Sequence, residues 1–166
     1  MASDYSFDIT CDYDHQEMVN AVDQLHREIT NRFDFKGVLA EIDYNEKDNE
    51  ITIRTDSDYK LEAIVDILES KILKRGISLN TLDKSAAIEA AANGSVKKKI
   101  ILRSGLTSED AKKISKLIRD EYPKAKPTIQ GDEIRVVSKS KDELQQIIDF
   151  LKDADLVLPL QFGNYR

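Results

Sequence analysis

Apolar residues along this chain switch between a spacing of two and a spacing of three to four, the periods of a strand and of one helix face. Residues 6–10 alternate as a strand. Asp14, with Glu17 three residues on, reads as a capping box ahead of a helix whose apolar face is Met18, Val22, Leu25 and Ile29. Gly37 ends that element. Residues 38–44 alternate as a strand, 45–49 form a polar turn, and 50–55 return as the partner strand. Ser57 caps a second helix with the face Leu61, Ile64, Val65, Leu68 and Ile72. Gly76 terminates it, and 77–82 read as a further strand. The order then recurs. A strand over 96–103 precedes a helix capped at Thr107 that carries Ala111, Ile114, Leu117 and Ile118. A tight hairpin joins 128–130 to 133–138 around Gly131-Asp132. Ser140 and Glu143 form a second capping box before a helix over 144–151, and 160–165 is the last strand. The Ala-rich join 83–93 carries no clear pattern.

The recurrence is a true repeat. EITIRTDSDYKLEAIVDIL at 50–68 aligns without a gap on EIRVVSKSKDELQQIIDFL at 133–151, a constant offset of 133 − 50 = 83. Ile51 falls on Ile134, Ile53 on Val136, Leu61 on Leu144 and Ile64 on Ile147. An internal repeat decides architecture before any single residue does. Each copy has the order βαββαβ, which predicts an α+β fold of two tandem ferredoxin-like units with antiparallel sheets, helices on one face of each. The expected units are residues 1–90 and 91–166. Whether the terminal strands stay in their own unit or exchange between units is open.

Charge separates the two halves. Residues 1–90 carry 10 Lys+Arg and 20 Asp+Glu, a balance of −10; residues 91–166 carry 15 and 11, a balance of +4. An acidic half joined to a basic one directs an anionic ligand to the second half. Cys11 is the lone cysteine, which suits a reducing compartment. The first ten residues are acidic and lack the apolar core of a leader, and no apolar run is long enough to span a bilayer. The expectation is a cytoplasmic protein without membrane association. No GxxxxGK[ST] or GxGxxG occurs, and two histidines with one cysteine make no metal-ligand set, so no catalytic residue, metal or cofactor is expected.

Two groups carry candidate binding chemistry. Alternation over 97–103 places Lys97, Lys99 and Arg103 on the face away from the core. Arg135 points the same way from its hairpin, with Gln130 beside it, and such a face would hold phosphates. The simpler reading is a solvated face whose lysines discourage edge pairing. The central strands carry no aromatic residue, so RNA readout by stacked bases lacks its usual side chains. The second group is Arg32, Phe33, Asp34, Phe35 and Lys36, ahead of Gly37. It reads either as a packed helix exit or as a small ligand site with stacking rings and a phosphate-holding cation. Lys112, Lys113, Lys116 and Arg119 form a helical basic stripe that reads as solvated surface.

SFDI at 6–9, EITNRFDFKG at 28–37, ILKRGI at 72–77, KKISKLIRDEYPKAKPTIQGDEIRV at 112–136 and PLQFGNYR at 159–166 resemble the YajQ family of bacterial proteins. The resemblance spans almost the whole chain. It implies two ferredoxin-like domains and nucleotide binding without firm catalytic activity. In some members it implies a cyclic di-GMP effector role through protein partners, and binding of RNA or nucleoside triphosphates has also been proposed for the family. Residue by residue it extends to Arg32, Phe33, Asp34, Phe35 and Lys36, to Gln130, Gly131 and Arg135, and to Gln161, Phe162, Asn164 and Arg166. Where the family usually reads RVxGK, this chain has Arg135-Val136-Val137-Ser138-Lys139, with Ser138 in place of glycine. Three readings stay open: a small-nucleotide sensor, an RNA-associated protein using the Lys97–Arg103 strand, and a protein-interaction adaptor using the acidic half.

Overall fold

A side-chain oxygen starts each of the four long helices. Asp14 accepts from Glu17 N at 3.0 Å, Ser57 from Lys60 N at 3.2 Å, Thr107 from Asp110 N at 3.1 Å and Ser140 from Glu143 N at 3.2 Å. A computed structural model of the chain describes residues 4–154 and 156–166. The helices are α1 (His15–Asn31), α2 (Asp58–Lys74), α3 (Ser108–Glu121) and α4 (Lys141–Asp153). The strands are β1 (Tyr5–Cys11), β2 (Ala40–Asn45), β3 (Glu50–Thr55), β4 (Leu82–Asp83), β5 (Glu89–Ala90), β6 (Val96–Leu102), β7 (Lys126–Gln130), β8 (Glu133–Ser138) and β9 (Leu160–Gly163). α2 closes as its sequence requires: Gly76 takes φ +76°, Ile77 N donates to Ile72 O and Gly76 N to Leu73 O. That is the paired closure a left-handed glycine permits.

The repeat is visible in burial. β3 and β8 share one alternating pattern, with Ile51, Ile53, Ile134 and Val136 all fully buried. Leu61, Ile64 and Leu68 of α2 match Leu144, Ile147 and Leu151 of α4 as the buried helix face.

The chain forms two sheets, one of four strands in the order β7-β8-β1-β9 and one of five strands with the path β2-β3-β6-β4 and β5 beside β6. Antiparallel sheets with helices on one face match the expected α+β, ferredoxin-like class. The first strand of each copy has changed places. β1 pairs antiparallel with β8 and β9, while β6 pairs with β3, β4 and β5. The two compact units are therefore Met1–Asp12 with Ser104–Arg166, and Tyr13–Arg103. A boundary at 90/91 follows the repeat along the sequence; the observed division follows the strands instead. Residues 77–82 depart from the expected strand. A 3-10 turn at Leu79–Thr81 intervenes and only Leu82–Asp83 joins the sheet.

The exchange removes the charge asymmetry. Tyr13–Arg103 carries 14 Lys+Arg and 17 Asp+Glu, and the other unit 11 and 14, so each balances at −3. The expected basic half does not exist as a folded unit, because β6 takes Lys97, Lys98 and Lys99 into the acidic one.

The core of the four-stranded unit gathers Phe7, Ile9, Ile114, Ile118, Ile134 and Ile147; the other gathers Met18, Leu25, Ile51, Ile53, Leu68 and Ile100. Gly105 ties β1 to the start of α3. Its N–H donates to Cys11 O at 2.6 Å, it has φ +83°, and a Cβ there would lie 2.8 Å from Asp132 Oδ2. The backbone conformation favours glycine, and a Cβ there would require the Asp132 side chain to swing aside.

Candidate functional site

In β1, Phe7, Ile9 and Cys11 turn to the core, so Ser6, Asp8 and Thr10 take the opposite face. In β8, Ile134 and Val136 turn inward and Arg135 outward. Register sets Asp8 against Arg135 on one side and against Gly163 on the other. Arg135 Nε donates to Asp8 Oδ1 at 3.0 Å and its Nη2 to Oδ2 at 3.4 Å, a forked pair across the sheet. Asn164 Nδ2 donates to Oδ2 at 2.6 Å, from a residue held at φ +53°. Asp8 is only 9% exposed. Arg135's hydrogen bond, and then Asn164's, outweigh burial and hold its carboxyl below the usual aspartate range, with the Arg166 charge adding to the effect. The same pairing raises Arg135. An open depression of about 420 Å³ adjoins this clamp, lined by Thr10, Glu133, Gln161 and Asn164 among others.

The structure gathers several sequence-derived candidates here. Gln130 lies opposite Glu133 on exposed β7, in the row of open-face residues that also holds Arg135. Arg166 exchanges backbone hydrogen bonds with Ser6, at 3.1 and 3.0 Å, which carries the edge of the sheet past β9. Phe162 belongs to the opposite face. It packs edge-on to Phe7 at 6.0 Å, with Lys152 Nζ 5.9 Å from its ring, so it offers the open face no ring.

Lys97, Lys99 and Arg103 do not share a sheet with Arg135. They belong to the other unit, which corrects the expectation of one continuous basic face. Lys97 and Lys99 do share the helix-free face of β6, but Lys97 meets Glu89 at 3.8 Å and Lys99 meets Glu50 at 3.9 Å. Arg103 lies past the end of β6, and its Nη1 donates to the Asn80 and Leu82 carbonyls at 2.7 and 3.2 Å. The remaining group forms a 3-10 turn at Phe33–Phe35. Phe35 is buried, while Phe33 is 89% exposed. Arg32 forks onto Asp34 with both contacts at 2.9 Å and also faces Glu28 at 3.6 Å. Lys60 donates to the Asp34 carbonyl and sits 4.9 Å from the Phe35 ring. Lys36 is exposed. The turn is thus a packed helix exit that leaves one ring in solvent.

Residues 5–166 match the family model described as nucleotide-binding protein YajQ-like. The chain belongs to the YajQ-like family. Its relatives include nucleotide-binding proteins of Synechococcus elongatus at 47% identity, Acaryochloris marina at 48% and Chloroherpeton thalassium at 43%, each over the full length of both chains. Within this YajQ-like chain, Ser138 has a local role where the family pattern usually has glycine. Its hydroxyl donates to Glu143 Oε1 at 2.8 Å and accepts from Ser140 N at 3.1 Å, bracing the entry to α4. No helix among the described residues is long and apolar enough to cross a membrane, and no group of three or more His, Cys, Asp or Glu side chains there is placed to hold a metal ion.

Asp8 escaped the sequence reading. Its partner lies 127 residues away, and no spacing rule reaches that far. The available signal was local: an aspartate on the polar side of an otherwise apolar-alternating strand.

Proposed function

We propose that this YajQ-like protein is a cytoplasmic, non-enzymatic nucleotide-binding protein, a sensor of a small nucleotide such as cyclic di-GMP that acts through a protein partner. The observation that carries the reading is the open face of the four-stranded sheet. There the exposed amides of Gln130 and Gln161 flank the Asp8–Arg135 clamp, and Arg166 adds an exposed cation with no ion pair among the described residues. Planar guanidinium and amide donors on a rigid sheet suit phosphate oxygens and base edges. The relatives' shared description as nucleotide-binding proteins supports the same class of ligand.

RNA binding through the Lys97–Arg103 strand is less favoured, because a phosphate there displaces Glu89 and Glu50 from their lysines. The Phe33 turn is the second candidate contact. Its exposed ring can stack a base, with Lys36 as the nearby uncommitted cation.

Calorimetric titration with cyclic di-GMP, GTP, ATP and a short single-stranded RNA, at two salt concentrations, tests the proposal. Saturable, weakly salt-dependent binding of one small nucleotide is expected, and Arg166→Ala should weaken it. RNA binding alone, rising with oligonucleotide length and lost in salt, replaces it with the RNA reading. No heat with any ligand removes both and leaves the adaptor.

A further inference from the structure

The cations chosen from the sequence mostly have partners inside the protein: Arg32 on Asp34, Lys97 on Glu89, Lys99 on Glu50, Arg103 on two carbonyls and Arg135 on Asp8. Three other lysines differ. Lys124, Lys126 and Lys139 are exposed, and among the described residues none of their ammonium groups makes an ion pair or hydrogen bond. All three line one cavity of about 460 Å³, at the end of the four-stranded sheet where β8 leads into α4. Its remaining walls include Pro123 and Val137, with Asp4 and Glu143 as carboxylates. The volume lies within the range of small-molecule sites.

The lining is mixed in an informative way. Three cations that form no ion pair with the two wall carboxylates attract a phosphate. Proline and valine walls suit a flat, weakly polar ring. Carboxylates accept hydrogen bonds from ribose hydroxyls or from a base's amino group. Glu143 is fixed on the wall by the Ser138 hydroxyl at 2.8 Å. A bare phosphate ion would use only the first of these features. The register pairs Lys126 with Val137 and Thr128 with Arg135, so the cavity lies at the end of the sheet, reaching from Lys126 and Val137 of the open face to Glu143 at the start of α4.

We infer that this cavity is the phosphate pocket of the nucleotide site, with Lys124, Lys126 and Lys139 holding phosphate, Pro123 and Val137 packing the base, and Asp4 and Glu143 accepting from the sugar or base. The inference rests on the nucleotide reading for the class of ligand and adds where on the face the phosphate is held. The test uses the full chain, with GTP, guanosine and inorganic pyrophosphate followed by amide-resolved NMR and calorimetry. GTP and pyrophosphate should both shift the amides of residues 124–126 and 138–140, and guanosine, which lacks the phosphates, should shift them far less. Lys124→Ala/Lys126→Ala/Lys139→Ala changes only exposed side chains, and should weaken GTP at least tenfold. The matching triple arginine variant should restore most of that loss. Undiminished GTP binding by the alanine variant overturns the pocket while the nucleotide function stands. No shift at these amides with either GTP or pyrophosphate also overturns it. Pyrophosphate shifts without binding of any nucleotide would leave the lysine pocket in place and bring down the nucleotide function.

Discussion

The two helix-free sheet faces are built from the same repeat yet treat charge in opposite ways. On the five-stranded sheet, cations and carboxylates stand side by side across the strands. Arg54 faces Glu41 at 3.6 Å, Lys97 faces Glu89 and Lys99 faces Glu50. These are exposed pairs of the kind that contribute little to stability, but they occupy their cations. On the four-stranded sheet a single near-buried carboxylate, Asp8, collects Arg135 and Asn164, and three lysines at the far end have no partner among the described residues. A count of basic residues along the chain points to the first face. The pairing points to the second. What makes a surface receptive to an anion is the charge left uncommitted after folding.

The largest effect should come from the exchanged strands themselves. Ile9→Ala and Ile100→Ala each empty a fully buried position at the centre of a sheet. Each should cost about 2–5 kcal/mol in chemical denaturation. A loss below about 1 kcal/mol in either would mean that its unit does not depend on the strand it receives.

Next comes the contrast between the faces. Arg135→Ala leaves Asp8 without its fork beside the open depression and should lower the urea midpoint. Lys97→Ala, on the other face, should stay within about 0.5 kcal/mol. Equal losses in urea melts of the two variants would erase the distinction drawn between them.

A smaller effect is pH-dependent. Asp8 titrates lower in the folded state than in the unfolded chain, so the folded state gains stability from its ionised form above the unfolded value, and that gain disappears as pH falls through the folded value. Acid should therefore destabilise the protein below about pH 4, the usual aspartate range, and Asp8→Asn should flatten that part of the profile. An NMR titration that finds Asp8 at or above its ordinary value would break the clamp as described. The smallest expected effect is that of Lys99→Gln, whose stability should match that of the parent at any salt concentration, since Lys99 and Glu50 meet only at 3.9 Å near solvent.

Much of the fold was legible because its signals are local. The caps at Asp14, Ser57, Thr107 and Ser140, the strand at Glu50–Thr55 and the hairpin around Gly131-Asp132 all depend on neighbours within a few residues. The exchange of β1 and β6 was not resolvable. Both strands alternate apolar and polar residues, both fit the same slot in the repeat, and partner choice rests on packing between distant segments. The stretch before Leu82 failed for a different reason. Ser78 caps a short turn by accepting from Asn80 N at 3.1 Å, so side-chain chemistry competed successfully with the apolar alternation. The candidate site was half legible. Arg135, Gln130 and Arg166, which lie on or beside one sheet face, were singled out through alternation and family resemblance. Asp8 and the three cavity lysines were not, because whether a charge is satisfied is a property of the folded chain.

The place of Tyr13–Arg103 within the chain also sets a timetable. The ribosome delivers every strand and helix of that unit before it has made any of α3, β7, β8 or β9. The middle of the protein can therefore fold while synthesis continues. β1, though made before that unit, pairs with strands more than a hundred positions later in the chain. Until those strands are made, Phe7 and Ile9 lack the neighbours that cover them in the folded unit, so β1 waits for its partners longer than any strand of Tyr13–Arg103 does.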